Sequence, residues 1–239
     1  MPKGILNKAS LVMVPEAPID GTMPSVFPED RSGDFTFTRG SNLAATRVAS
    51  NGLIEKGREN LITYSNDLSN AVWTKTAGSV SGSKWIPNTA NTYHPLKRSL
   101  TIQNGSVYAY SIEIKADGYN FVLLNIVSGT GTNSGPIIDL TNGTLAGTYN
   151  GYNHNAIIES VEDGYYRVKM WFASTTTSLQ VDINPLQTSS VAPYAGNGTN
   201  GILVRRIQIE AGLVATSYIE SGATTGKAGL LENEPRIDF

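Results

Sequence analysis

Apolar side chains in the middle of this chain recur at every second position, and that period limits what the chain can fold into. In Val107–Lys115, Tyr108, Tyr110, Ile112 and Ile114 share one side, while Val107, Ala109, Ser111, Glu113 and Lys115 share the other. In Tyr165–Phe172, Tyr166, Val168, Met170 and Phe172 oppose Tyr165, Arg167, Lys169 and Trp171. In Ser178–Asn184, Leu179, Val181 and Ile183 oppose Gln180, Asp182 and Asn184. Side chains alternate across a strand, whereas a helix brings them round every 3.6 residues, so these segments read as half-buried strands. Further strands are expected at Ser99–Gln103, Phe121–Val127, Ile137–Leu140, Ala156–Val161 and Ile202–Glu210. Asn104-Gly105, Asp117-Gly118, Asn142-Gly143, Asp163-Gly164 and Asn197-Gly198 punctuate them as turns. Strands at this spacing indicate an all-β antiparallel sandwich or barrel. Ser65–Trp73 holds the one candidate helical turn, with Ser65 or Asn66 as its cap.

Three zones follow from this pattern. Residues 1–70 lack sustained periodicity, and Pro2, Pro15, Pro18, Pro24 and Pro28 crowd their start. Proline fixes φ and removes a donor, so this zone reads as an extended N-terminal arm that orders against another surface. Short pairing strands within it are expected at Asp34–Thr38, Ala45–Ala49 and Asn60–Tyr64. Residues 71–220 form the sandwich. Residues 221–239 form a C-terminal connector, in which Ala223-Thr224 and Gly229-Leu230-Leu231-Glu232 echo Ala45-Thr46 and Gly52-Leu53-Ile54-Glu55. Apolar runs are short, the longest near the start being Leu11–Val14, so neither a secretory signal nor membrane insertion is expected.

Composition restricts the chemistry. Charged residues make up 16% of the chain and the net charge is −2, so no basic field for nucleic acid is present. The chain has no cysteine, which removes disulfides, thiolate metal sites and thiol nucleophiles. His94 and His154 lie apart in polar loops, and no GxSxG elbow is present, so no catalytic residue is nominated. The Gly129–Gly135 stretch lacks the lysine and helix of a phosphate loop and reads as a hairpin loop. No acidic pair suggests glycoside hydrolysis. No cofactor is expected.

The best ligand-site candidate is the polar side of the alternating strands. Glu113, Arg167, Lys169, Trp171 and Asp182, with Ser111, Lys115, Gln180 and Asn184, all lie opposite apolar neighbours. If these strands adjoin, the face joins an indole to charged and amide groups, a combination that binds sugars. An ordinary solvated sheet face and a subunit interface are the alternatives. A loop around Tyr149, Tyr152 and Asn153 is a lesser site, and Trp73 and Trp85 are expected to cap the core.

Five segments resemble a recurrent module of bacteriophage virion and tail-associated proteins. They are residues 35–75 (FTFTRGSNLAATRVASNGLIEKGRENLITYSNDLSNAVWTK), 108–118, 137–147, 157–172 and 201–225, the last closing on Gln208-Ile209-Glu210-Ala211-Gly212 and Tyr218-Ile219. The resemblance implies a jelly-roll sandwich similar to carbohydrate-binding modules. It further implies a non-enzymatic virion structural protein, a capsid- or tail-attached fibre or decoration made in the bacterial host cytoplasm. Other virion proteins, bound through the arm, and further copies of the chain would be its partners, with a host surface glycan as a third. A polysaccharide-binding or depolymerase-associated tail module is the alternative. Modules of this class often hold a structural calcium. Asp139 and Glu210 are candidates by oxygen-ligand chemistry alone, and without a DxDxDG loop no metal is assigned.

Overall fold

The computed structural model describes residues 58–128, 132–151 and 156–228, with short stretches at 12–13, 22–23, 25–27, 30, 32–36, 47–48 and 54–55. Contacts divide the chain into two units, Met1–Arg58 with Lys227–Phe239, and Glu59–Gly226. In the first unit, Val12–Met13 pairs with Ser25–Phe27, Thr22–Met23 with Phe35–Thr36, and Arg47–Val48 with Ile54–Glu55. The rest of the proposed arm, and the second copy of the echoed element at Gly229–Glu232, lie outside the described residues.

The second unit is an antiparallel sandwich of two six-stranded sheets. Its strands are β1 (Thr74–Lys75), β2 (Gly78–Ser81), β3 (Lys84–Pro87), β4 (Leu96–Thr101), β5 (Val107–Asp117) and β6 (Phe121–Ser128). They continue as β7 (Thr132–Asp139), β8 (Thr144–Tyr149), β9 (Ile157–Ser160), β10 (Tyr166–Ala173), β11 (Ser178–Leu186) and β12 (Gly201–Ala211). Sheet one runs β9-β10-β5-β12-β3-β2, and sheet two runs β8-β7-β6-β11-β4-β1. The chain crosses between sheets after β1, β3, β4, β5, β8, β10 and β11, the connectivity of a jelly roll.

The period of two explains the packing. Tyr108, Tyr110, Ile112 and Ile114 of β5 and Val168, Met170 and Phe172 of β10 are buried in one core with Leu179, Val181 and Ile183 of β11. Val122, Leu124 and Ile126 of β6 join them. Each such side chain removed from water contributes about 1.5–3 kcal/mol, so this core holds two layers together without disulfides. Trp73 and Trp85 are buried in it as expected, their indole N–H groups donating to the carbonyls of Tyr64 (3.1 Å) and His94 (2.8 Å). A Cβ on Gly78 would lie 2.6 Å from the Trp85 ring, so only glycine admits the indole there.

Two expectations need correction. The boundary at residue 70 falls inside the sandwich unit, because the lead-in is stitched to the last strand. Asn60 is fully buried and uses its whole amide: Nδ2 donates to the carbonyls of Ile207 (3.0 Å) and Ile219 (2.9 Å), while Oδ1 accepts from the N–H groups of Ile62 (3.1 Å) and Ile209 (3.2 Å). The Leu61 N–H donates to Ile209 O, the Ile207 N–H donates to Ser65 O, and Ile62 and Leu68 enter the core. Ser65–Trp73 forms turns rather than a helical turn. Neither proposed cap acts on a helix there, since the Ser65 hydroxyl pairs with Tyr218 Oη (2.7 Å) and Asn66 Oδ1 accepts from the Arg206 N–H (3.1 Å).

Candidate functional site

The alternation identifies outward-facing residues, but the structure distributes them over two sheets. Register places Trp171 beside Ala109, Lys169 beside Ser111 and Arg167 beside Glu113, so β10 and β5 do adjoin. Ser178–Leu186 belongs to the other sheet. Asp182, Gln180 and Asn184 therefore do not share a face with Glu113, Arg167, Lys169 and Trp171. That corrects the single face expected from the sequence.

The outer side of sheet one is taken up by the protein itself. Pairing of β5 with β12 slips between Ser111 and Glu113, and Arg206 on β12 adopts a left-handed φ of 52°. Such a conformation costs a non-glycine residue about 1–2 kcal/mol. Here it sets two consecutive guanidinium groups around one carboxylate. Glu113, 4% exposed, pairs with Arg205 at 2.8 Å and with Arg206 at 3.3 Å. Arg205 also reaches Asp163 (2.8 Å) and lies 4.0 Å over the Tyr165 ring. For Arg206, the Glu113 charge is the largest influence and raises the pKa. Lys169 pairs with Glu159 at 2.7 Å, and an Arg167 guanidinium nitrogen donates to Thr216 O. The Trp171 indole nitrogen is buried with no partner.

The segment after β12 folds across this side. Glu210, 3% exposed, accepts from the Thr216 N–H (2.9 Å), from Thr216 Oγ1 (2.6 Å) and from Gln208 Nε2 (2.6 Å). Gln208, fully buried, also donates to Ser217 O (3.2 Å) and accepts from the Ile219 N–H (2.6 Å). The sequence motif at Gln208–Glu210 and Tyr218-Ile219 is thus a clamp that seals the module. It leaves Glu210 engaged by three protein donors. Asp139 is likewise engaged, accepting from the Thr141 N–H (2.8 Å) and from Asn142 Nδ2 (2.8 Å) in a turn.

The outer side of sheet two is different. Asn125, Asp182 and Lys97 are register partners across β6, β11 and β4. Asp182 is 8% exposed, accepting from Gln180 Nε2 (2.8 Å) and Asn125 Nδ2 (3.3 Å). Burial pushes its carboxyl above the ordinary range, against the opposing pull of Lys97, Asn125 and Gln180. The Asn125 Oδ1 is buried with no partner. Beside this row, Leu123, Ile137 and Leu186 form a small apolar cluster with Phe121, Tyr149 and Val191 packed on it. Gly135 is the register partner of Tyr149. A Cβ on Gly135 would lie 1.9 Å from the Leu124 carbonyl oxygen, so glycine alone allows this close approach. The face combines an aromatic ring seated on a buried aliphatic cluster, a carboxylate and an unmet amide acceptor.

Asn125 and Lys97 were not singled out in the sequence. Lys97 lies before the expected start of its strand, and Asn125 sits in an apolar run whose alternation it interrupts weakly. Tyr149 belongs to β8 and to the sheet-two face, whereas Tyr152, Asn153 and His154 lie outside the described residues. His94 is fully buried, with Nδ1 2.7 Å from Ala77 O and Nε2 2.9 Å from Tyr194 O. It ties three segments of one end of the sandwich rather than sitting in an open polar loop.

The sequence matches no family model. No curated protein matches it. Among solved structures it is similar to one titled "CBM4 structure and function", at 9% identity over 59% of this chain and 78% of that chain, with a TM-score of 0.33. The fold assignment rests on strand pairing and core packing within this chain.

Proposed function

We propose that this protein is a non-enzymatic, glycan-binding component of a bacteriophage particle, and that the outer face of sheet two is its binding surface. One observation carries the binding reading: the unpartnered Asn125 Oδ1 beside the Asp182 carboxylate, on a face flanked by Tyr149. A buried acceptor without a donor costs about 1–3 kcal/mol. A sugar hydroxyl supplies that donor once the Asn125 side chain turns outward, and neighbouring hydroxyls reach Asp182 and Gln180. The C–H face of the same ring packs on Tyr149, which is half-buried on this face. The side chains at this face offer no base-and-nucleophile pair, which favours binding over turnover.

Support for the particle assignment is the order of five sequence segments shared with phage virion modules. In that reading the N-terminal arm attaches the sandwich to other virion proteins and to further copies of the chain, at the head or the tail.

Binding is tested on a glycan array, followed by affinity electrophoresis in the polysaccharide that scores. Asn125→Ala and Asp182→Ala should each weaken retention by about tenfold, the loss expected of one hydrogen bond to a charged or buried partner. Trp171→Ala, on the opposite side of the sandwich, should leave it unchanged. An array without a hit, or equal retention of all variants, removes the binding reading. Immunogold imaging of purified particles tests the location, and unlabelled particles remove that part.

A further inference from the structure

The end of the sandwich holds a cavity of about 430 Å³ between the β5–β6 turn and the loop that follows β11. Tyr119, Asn120, Gln187, Thr188, Asn197 and Asn200 supply its polar surface. None of its lining residues is Asp, Glu, Lys, Arg or His. Without a lining cation the cleft has no charge partner for a phosphate or carboxylate, and without carboxylate, imidazole or thiolate it lacks the charged and nitrogen or sulfur ligands that divalent metals mostly take.

The amides here are positioned and yet keep hydrogen-bonding capacity. Gly118 has φ 105°, and a Cβ on it would lie 2.4 Å from Asn200 Cγ. Only glycine therefore lets the Asn200 amide lie against the turn, where its Nδ2 reaches Gly118 O at 3.4 Å and leaves its Oδ1 able to accept. Asn197 Oδ1 accepts from the N–H groups of Thr199 (3.0 Å) and Asn200 (2.7 Å), so its Nδ2 is left to donate. Gln187 Nε2 reaches Ala195 O at 3.4 Å, so its Oε1 is left to accept. Behind them the Tyr119 ring packs at 5.4 Å on Tyr194, whose hydroxyl donates to Pro185 O at 2.9 Å. The cavity thus presents donors and acceptors together on a braced aromatic wall.

We infer that this cleft is a second ligand site, specific for an uncharged polyhydroxylated group, namely about one or two rings of a neutral saccharide. Hydroxyl groups donate and accept alike, which is what a mixed set of amide oxygens and nitrogens satisfies. The site is separate from the sheet-two face, and substitutions distinguish the two. Because no charge lines the cleft, its affinity does not depend on salt, whereas an anionic glycan bound by a lysine would weaken as salt rises.

The test is a titration of the full chain, labelled with nitrogen-15, with cello-, malto-, xylo- and chito-oligosaccharides. Sialyllactose serves as the charged control. The side-chain amide signals of Asn120, Gln187, Asn197 and Asn200 should shift with a neutral member and not with sialyllactose. Asn120→Ala and Gln187→Ala, both at exposed positions, should each weaken that binding by about tenfold while leaving the backbone spectrum intact. Asn125→Ala should leave the cleft signals responsive. The inference is overturned if no neutral saccharide moves these four amides, if sialyllactose is preferred, or if both cleft variants bind as the parent does. Loss of the sheet-two site alone would not touch it.

Discussion

The two outer sides of this sandwich carry polar side chains of much the same kind, and they end up doing opposite things. On sheet one, Gln208 and Glu210 are buried against the protein's own closing segment and Glu113 against Arg205 and Arg206, and their hydrogen bonds are filled from within the chain. On sheet two, Asn125 and Asp182 are nearly as buried, but an acceptor remains unmet and a carboxylate is held in an unfavourable setting. Satisfied polar burial specifies a fold; unsatisfied polar burial asks for a partner. The contrast concerns these carboxylates and amides, since on sheet one the Trp171 indole nitrogen is also buried without a partner.

The sharpest way to break the contrast is to open the clamp. Glu210→Ala strands the Thr216 N–H and leaves the Thr216 hydroxyl and the Gln208 amide only their longer bonds to Ser217 O, and should cost about 2–4 kcal/mol in chemical denaturation. A loss under about 1 kcal/mol would mean that the closing segment is not held by this carboxylate. Glu113→Gln should cost less, about 1–2 kcal/mol, because the amide oxygen still accepts from one arginine and Asp163 and Glu162 still pair with Arg205 and Arg206. Neither variant should alter glycan retention of the folded protein beyond the loss of folded fraction.

Asp182→Asn reverses the sign. The folded-state pKa of Asp182 lies above the unfolded value, so folding favours the protonated form. Stability is therefore lost as pH rises from the ordinary carboxylate value of 3.8 through the raised one, and the cost persists above it. The asparagine variant carries no such cost. Its amide can also donate to Asn125 Oδ1 if that neighbour flips. It should melt about 2 °C or more above the parent near neutrality, with the gap closing in acid. A gap that does not change with pH would refute the burial argument. The smallest effect is expected at Lys169→Ala, whose ion pair with Glu159 is solvent-facing and contributes under about 0.5 kcal/mol. A larger loss would show that the exposed rim of sheet one is structural as well.

Much of this contrast was not visible in the chain. Alternation located β5, β6, β10, β11 and β12 closely, and the Asn-Gly and Asp-Gly turns fall where glycine takes positive φ, as at Gly105, Gly143 and Gly198. Alternation reports which way a side chain points relative to its strand, but not which sheet owns the strand. For that reason the sequence alone groups Asp182 with Glu113. The strands β2, β3 and β8 show no clear alternation because Gly78, Ser79, Ser81, Pro87 and Gly147 dilute their pattern, and β1 is only two residues long. The Gln208–Glu210 motif was legible as a closing element. Its work was not, since it depends on donors from Thr216 to Ile219 that meet it only after the chain turns back.

The stitching of the lead-in to the final strand has one more consequence. Asn60 bonds to both Ile207 and Ile219, the Tyr64 N–H donates to Gly222 O, and Thr225 Oγ1 donates to Glu59. Entry and exit of the sandwich therefore leave side by side, as the two wires of a plug. Tension applied through those wires would peel one seam bond by bond before it reached the hydrophobic layers, so the seam would act as a mechanical fuse. A single-molecule pulling trace should show it as an early, low-force step preceding rupture of the sandwich.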